Sequence, residues 1–296
     1  MIFVRVPATS ANLGPGFDCF GLALNLYGRF GFEETAEGLS FENVEEKYQN
    51  ADNLAVRAYF RVLDELGMPR RGLRVRIDSD IPPCRGLGSS ASLIAAGLTA
   101  ANAAHGSMLD GAVLLRLATE IEGHPDNVAP ALRGGLTASI MDGDSVLAMR
   151  CTLSEKLRFM ALIPDFKLST QRARAVLPKQ VPLADAVFNA SRTAVLLRAL
   201  ETGDMRAVAA AMDDRLHQPY RASLIDEYEA VRALALRSGA TAVCISGAGP
   251  TMMCVYADDE FNAAMTRGLQ DMRNRWRALP LLPDMQGALI EGEDEV

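Results

Sequence analysis

The sequence predicts an α+β fold, with helices and strands in mixed layers rather than a doubly wound parallel sheet. Three observations predict it. The chain has 296 residues, room for two domains or one large unit. Both hydrophobic periods occur: Leu73, Val75 and Ile77 alternate with Arg74, Arg76 and Asp78, while other stretches repeat at helical spacing. These segments follow one another without the steady alternation that builds a parallel sheet.

In chain order, residues 2–6 read as a strand stopped by Pro7, followed by a small-residue loop over 8–16. Residues 22–32 read as a strand or a pair of strands. Asp52 is positioned to cap a helix through Leu66, with Gly67 and Pro69 as stop signals. The alternating strand at Leu73 to Ile77 ends before Pro82 and Pro83, and a small-residue helix covers about 90–104. Residues 110–122 form a second helix ended by Gly123, and 134–141 a strand. Beyond Cys151, a short strand is expected at 159–163 and helices at 183–200, 205–216 and 224–236. A strand pair at 240–245 and 252–256 flanks a glycine-rich turn. A last helix follows at 263–276, and the acidic EGEDEV end is expected to fray.

Composition removes several function classes. Hydrophobic residues make up 49% and charged residues 23%, a globular balance. The net charge of −7 gives no overall field for a polyanion, so nucleic-acid binding is not expected, although a few backbone amides can still hold a small anion. Five widely spaced cysteines without a C-x-x-C pair suit reduced thiols and a cytoplasmic location. The three histidines are far apart in sequence and make no metal cluster. Neither a signal peptide nor a membrane-spanning run is expected.

Four motifs carry the chemistry. In PPCRGLGSSAS (82–92), glycines two apart lead from a strand into a helix that opens on serines. Glycines let the backbone approach a ligand, a helix start offers unpaired N–H groups to phosphate, and a serine hydroxyl suits Mg²⁺. The same pattern also suits a serine-capped turn. It lacks the lysine of a Walker loop and the full dinucleotide fingerprint. In PATSANLGPGFD (7–18), Asn12 and Asp18 offer an amide and an anionic acceptor; alone, the segment also reads as a surface turn. EGHPDN (122–127) gathers carboxylates, an imidazole and an amide: Asp126 suits orienting or deprotonating a hydroxyl and Glu122 suits Mg²⁺, or the segment is a polar turn after a glycine cap. SGAGPT (246–251) brings backbone close to a ligand or neighbour, or is a tight hairpin. Arg174 and Arg221 add guanidinium forks that match a carboxylate.

Together and in this order, the four motifs resemble the GHMP kinase superfamily, from about Val6 to Tyr256. PATSANLGPGFD and EGHPDNVAPALRGG are similar to the homoserine kinase family within it. The resemblance implies two domains, 1–155 and 156–296, around a deep cleft, the first ribosomal-protein-like and the second ferredoxin-like. It implies ATP-dependent phosphorylation of the side-chain hydroxyl of L-homoserine with Mg²⁺, a step toward threonine, by a homodimer.

Residue by residue, the resemblance implies that Pro82, Pro83, Cys84, Arg85, Gly86, Leu87, Gly88, Ser89, Ser90, Ala91 and Ser92 form the ATP phosphate loop, with Ser90 near Mg²⁺. It implies that Glu122, with Glu120 as the alternative, supplies the Mg²⁺ carboxylate. Asn12, Asp18, His124, Arg174 and Arg221 are expected to bind the substrate: Asp18 with Asn12 at the ammonium, and Arg174 with Arg221 at the carboxylate. Asp126 or Asn127 is expected to orient the hydroxyl, with the general base left open. Cys19-Phe20 and Ser92 depart from the pattern without removing a polar role.

Overall fold

The structure is a computed structural model and describes residues 1–292. Its elements are β1 (Ile2–Ala11), β2 (Phe20–Thr35), β3 (Leu39–Glu42), α1 (Leu54–Glu65), β4 (Gly72–Ser79), α2 (Ser89–Ala104), α3 (Gly111–Glu122), α4 (Pro125–Arg133), β5 (Leu136–Asp142) and β6 (Ser145–Cys151). There follow β7 (Arg158–Pro164), α5 (Thr170–Ala175), α6 (Leu183–Thr202), α7 (Met205–Ala211), α8 (Gln218–Arg221), α9 (Tyr228–Arg237), β8 (Ala242–Ile245), β9 (Met252–Tyr256), α10 (Glu260–Gly268), β10 (Trp276–Leu281) and β11 (Leu289–Glu291).

Two sheets organise the chain. A seven-stranded sheet runs β11-β1-β2-β4-β3, with β5 also pairing β2 and β6 pairing β5. A four-stranded antiparallel sheet runs β10-β7-β9-β8. Most pairings in the first sheet are antiparallel, which fits the mixed-layer expectation. One apolar core lies between the first sheet and α1 to α4. A second joins the two sheets, taking Ala8, Phe20, Leu22 and Leu24 from one side and Phe159, Ala161, Cys244 and Met253 from the other. A third fills the outer face of the smaller sheet, under α9 and α10.

Several expectations change. Pro7 does not end the first strand: β1 continues to Ala11, and the register against β2 shifts between Pro7 and Ala8. A proline lacks the ladder N–H and is accommodated at such a bulge. The loop therefore begins only at Asn12. The strand or pair at 22–32 is one strand of 16 residues. The cap of α1 is Asn53, whose side chain accepts from the Ala55 amide, rather than Asp52. The helix expected over 205–216 stops at Ala211, because the Asp214 carboxylate takes the amides of Leu216, His217 and Gln218 and turns the chain. The helix expected over 263–276 ends at Gly268, and Trp276 opens β10 instead. The acidic end is divided: Glu291 lies in β11, and residues 293–296 lie outside the described residues.

The packing of α2 matters most for the site. Gly97 lies against α1, where a Cβ would come 2.3 Å from the Ala55 carbonyl oxygen and 2.9 Å from the Ala58 Cβ. A side chain here would wedge the helices apart. Gly97→Leu is expected to cost about 2–3 kcal/mol, lowering the melting midpoint by roughly 4–12 °C in calorimetry. Gly111→Ala, where a Cβ meets nothing within 4 Å, serves as the control and should leave the midpoint unchanged or higher.

Candidate active site

A cleft of about 870 Å³ is lined from both halves of the chain. Its floor is the loop between β4 and α2. Cys84, Gly86 and Gly88 all have left-handed backbone, at φ of 56°, 75° and 72°. A Cβ on Gly88 would stand 1.9 Å from Thr9 Oγ1, and one on Gly86 would stand 2.3 Å from the Ser246 carbonyl oxygen. Only glycine fits either position. Gly88 caps α2 without any side-chain hydrogen bond, so the amides of the first turn have no acceptor within the helix. Serine does not cap this helix, and the turn ends in exposed donors and positive potential.

The loop is stitched to its surroundings. The amides of Thr9, Leu168 and Thr251 donate to the carbonyls of Leu87, Cys84 and Arg85 at 3.1, 3.1 and 3.2 Å. The Arg85 guanidinium donates to the Pro164 and Asp165 carbonyls at 2.9 and 2.7 Å. Of the loop, Pro83, Cys84, Arg85, Gly86, Gly88, Ser89, Ser90 and Ser92 line the cleft, whereas Leu87 and Ala91 are buried in the core and Pro82 stands off the lining.

The glycine-rich turn between β8 and β9 closes on this loop. Ser246 Oγ donates to the Gly86 carbonyl at 2.6 Å and lies 2.8 Å from Ser10 Oγ. The Gly247 amide donates to the Ala11 carbonyl at 2.9 Å. The Gly247 carbonyl accepts from Asn12 Nδ2 and from Arg221 Nη1, each at 3.0 Å. Asn12 Oδ1 in turn accepts from the Asp18 amide at 2.8 Å. Asn12 therefore braces the loop on both sides while lining the cleft.

Asp18 and Arg174 meet as a bidentate pair, with Nη2 to Oδ1 at 2.7 Å and Nη1 to Oδ2 at 3.1 Å. Arg174 is carried by α5, which Ser169 caps through the Arg172 amide. Arg221 is only 1% exposed. Its Nε donates to the Ala173 carbonyl at 3.3 Å, and its Nη1 is shared between the Gly247 carbonyl and His217 Nδ1 at 3.4 Å. Among the described residues nothing accepts from its Nη2, and Arg221 lines the cleft. Its guanidinium lies 5.1 Å from the centre of the Phe17 ring, and that of Arg174 lies 5.8 Å from the same ring. Burial, then the neighbouring Arg174 charge, bring the Arg221 pKa down to about 10, so it stays cationic near neutrality.

The EGHPDN segment is not a polar turn alone. Gly123, at φ 91°, ends α3, and the chain enters α4 with Pro125 in its first turn. Glu122 Oε1 accepts from Ser90 Oγ at 2.6 Å, and burial raises the pKa of its carboxyl. Glu120 points away and pairs with Arg61 and Arg116, which removes it as the alternative to Glu122. Asp126 is fully buried, with one oxygen on His124 Nδ1 and the Asn127 amide and the other, Oδ2, without a partner. Burial disfavours the His124 imidazolium, but the Asp126 contact outweighs it, so the His124 pKa is raised. Asn127 Oδ1 accepts from Thr9 Oγ1 at 2.7 Å. His124 and Asn127 reach the cleft, and Asp126 stands behind them.

The sequence reading missed three parts of this site. The segment from Asn43 through Lys47 and Tyr48 to Leu54, with Phe30, Ile77 and Ile81, forms the far end of the cleft. It has no hydrophobic period, and its only signal is a run of Asn, Tyr and Lys after a short strand. Thr9 lay hidden inside β1. Asp214 and His217 gave no signal beyond a run of polar residues before Pro219.

Residues 53–135 match the family model for the GHMP kinases N-terminal domain, and residues 196–271 match that for the GHMP kinases C-terminal domain. The first match holds the PPCRGLGSSAS and EGHPDN segments, and the second holds Arg221 and the glycine turn. A homoserine kinase of Clostridium botulinum is 45% identical over 98% of both chains. One of Clostridium beijerinckii is 43% identical over 99% of both. The crystal structure of homoserine kinase from Cytophaga hutchinsonii superposes with a TM-score of 0.88 at 27% identity, covering 98% of this chain and 97% of that one. Two-domain GHMP kinase architecture and end-to-end relatedness coincide, and the chain belongs to the homoserine kinase family of the GHMP kinases.

Proposed function

We propose that the cleft transfers the terminal phosphoryl group of ATP to the side-chain hydroxyl of L-homoserine, giving O-phosphohomoserine and ADP for threonine synthesis. The observation that carries this reading is one wall that joins an uncapped helix start, for phosphate, to a set of charges matching a zwitterion. The triphosphate lies along Gly86, Gly88, Ser89 and Ser90, and the apolar far end between Tyr48, Ile77 and Ile81 takes the purine.

Asp18 and Arg174 serve as each other's counter-ion until substrate arrives. The homoserine ammonium then takes the place of Arg174 at Asp18, and its carboxylate takes the place of Asp18 at Arg174 and occupies the free Nη2 of Arg221. Neither charge is left unpaired at any stage, which avoids a cost of several kcal/mol. The hydroxyl is presented toward the phosphate loop, with Asn127 orienting it and Asp126 holding Asn127 and His124 from behind. The hydroxyl oxygen bonds to the γ-phosphorus as the bond to the bridging oxygen breaks and ADP leaves, and the hydroxyl proton passes to water in the cleft. Such a loose transition state asks mainly for alignment and charge neutralisation.

Ser90 and Glu122 fit Mg²⁺: a hydroxyl and a carboxylate, hard oxygen donors beside the loop, stand 2.6 Å apart. When bound there, the ion supplies charge neutralisation on the phosphates. A cytoplasmic homodimer remains part of the reading. Five free thiols suit a reducing compartment, no described helix is long and apolar enough to cross a membrane, and sedimentation reads the mass.

A coupled ADP-release assay over homoserine, mevalonate, shikimate and sugars should show turnover with homoserine; none above background would overturn the reading. Arg221→Leu should raise the homoserine KM about ten- to a hundredfold while the ATP KM moves less than about twofold, as expected for losing a charge-assisted bond. Equal movement of both constants would make Arg221 structural. Glu122→Gln should raise the Mg²⁺ concentration for half-maximal rate by roughly tenfold. Glu120→Gln, which breaks only surface pairs, should leave it unchanged.

A further inference from the structure

His217 is fully buried, sits outside the four motifs, and has no part in the chemistry above. Its surroundings are specific. Nε2 lies 2.9 Å from the Gly14 carbonyl oxygen, a pure acceptor, so Nε2 carries a hydrogen. Nδ1 lies 3.4 Å from Arg221 Nη1, a pure donor, so Nδ1 carries a lone pair. The two contacts together require the neutral ring in the Nε2–H form. Burial also holds the His217 pKa below its usual value despite the nearby Asp214.

His217 is itself held through its backbone and through the face of its ring. Its amide donates to Asp214 Oδ2 at 2.9 Å, and Asp214 Oδ1 accepts from Asn189 of α6 at 2.7 Å. Phe17 stacks on the imidazole with centroids 5.2 Å apart, and the guanidinium groups of Arg221 and Arg174 lie 5.1 and 5.8 Å from the centre of the same Phe17 ring. Three of the five N–H donors of Arg221 are thereby engaged, on Ala173, Gly247 and His217, leaving both hydrogens of Nη2 for the cleft.

We infer that His217 is a positioning residue for the substrate carboxylate: its Nδ1 lone pair fixes the rotation of the Arg221 guanidinium, and its Nε2–H ties that arginine to the Gly14–Asp18 loop. The inference rests on the reading of Arg221 as a carboxylate ligand. Without that acceptor one buried Nη1 hydrogen loses its partner, and the planar guanidinium swings about the Cδ–Nε bond, so that the Nη2 hydrogens no longer face the substrate. Without the acceptor, the loss falls on homoserine affinity rather than on ATP affinity or on the chemical step.

Two isosteric replacements separate the two ring nitrogens. Asparagine puts an amide oxygen near the position of Nδ1 and keeps the acceptor for Arg221. Glutamine puts an amide nitrogen near Nε2, keeping the donor for Gly14 and losing the acceptor. His217→Gln should raise the homoserine KM at least about tenfold, with the ATP KM and kcat within about twofold of wild type. His217→Asn should hold the homoserine KM within about threefold. Equal homoserine KM values for the two variants, or a parallel rise in the ATP KM for His217→Gln, would overturn the inference. A direct measurement needs no variant enzyme to fold: long-range ¹H–¹⁵N spectra of the labelled wild-type protein should show a neutral Nε2–H ring for the buried histidine at pH 7. An imidazolium, or the Nδ1–H form, would overturn the inference. Should Arg221→Leu leave the homoserine KM unmoved, the carboxylate reading fails and this inference with it. Should Arg221→Leu raise that constant while His217→Gln stays at the wild-type value, this inference alone fails.

Discussion

The carbonyl oxygen of Gly247 is the fixed point of the site. It accepts from Asn12 and from Arg221, while the amide of the same residue donates to Ala11 and the preceding serine donates to Gly86. Two adjacent residues, Ser246 and Gly247, thus tie the first motif, the buried arginine and the loop between β4 and α2 to the turn between β8 and β9. Motifs more than a hundred residues apart in sequence meet there because the turn has backbone freedom at Gly247 and Gly249, at φ of 57° and 83°, that other residues rarely reach. The apolar core joining the two sheets brings the turn and the loop within reach, and the hydrogen bonds then set their register.

Asp18, Arg174 and Arg221 are each partnered in the cleft. Asp18 and Arg174 neutralise each other, and Arg221 is desolvated but braced by two neutral acceptors and a neutral imidazole. A cation held this way keeps its charge without a competing anion in contact, and its Nη2 is left free. Asp126 is the opposite case: a buried carboxylate with one oxygen engaged and one unpartnered, set behind the two side chains that reach the cleft. Buried ionisable groups that are only partly satisfied mark a functional cluster more often than a structural one.

Much of this was legible in the sequence. The strand at Leu73 to Ile77, the Asp110-capped helix and the glycine loop that leads into α2 follow from period, cap and glycine spacing, which are local signals. What was not legible depends on tertiary partners. Pro7 reads as a terminator until its bulge against β2 is seen. Trp276 reads as the end of a helix until the carboxylate of Glu227 is found holding Asn274 and the Trp276 ring nitrogen, 3.4 Å away, at the start of β10. Among the site residues, the motifs identified which side chains converge but not their order. Glu120 and Glu122 are equivalent on paper, and only the turn of α3 sends one to Arg61 and the other to Ser90. Asp126 and Asn127 are neighbours in the chain, and only burial separates the residue that reaches the cleft from the one behind it.

The return of β11 to the first sheet bears on how the molecule is assembled. β11 pairs antiparallel with β1, matching Phe3 with Glu291 and Arg5 with Leu289, and the Glu291 carboxylate takes the Arg29 guanidinium at 2.5 Å. β1 is made before every other described element and β11 after them. While the segments between them are made, one flank of β1 is therefore left unzipped, open to strands of other chains, until β11 follows to cover it.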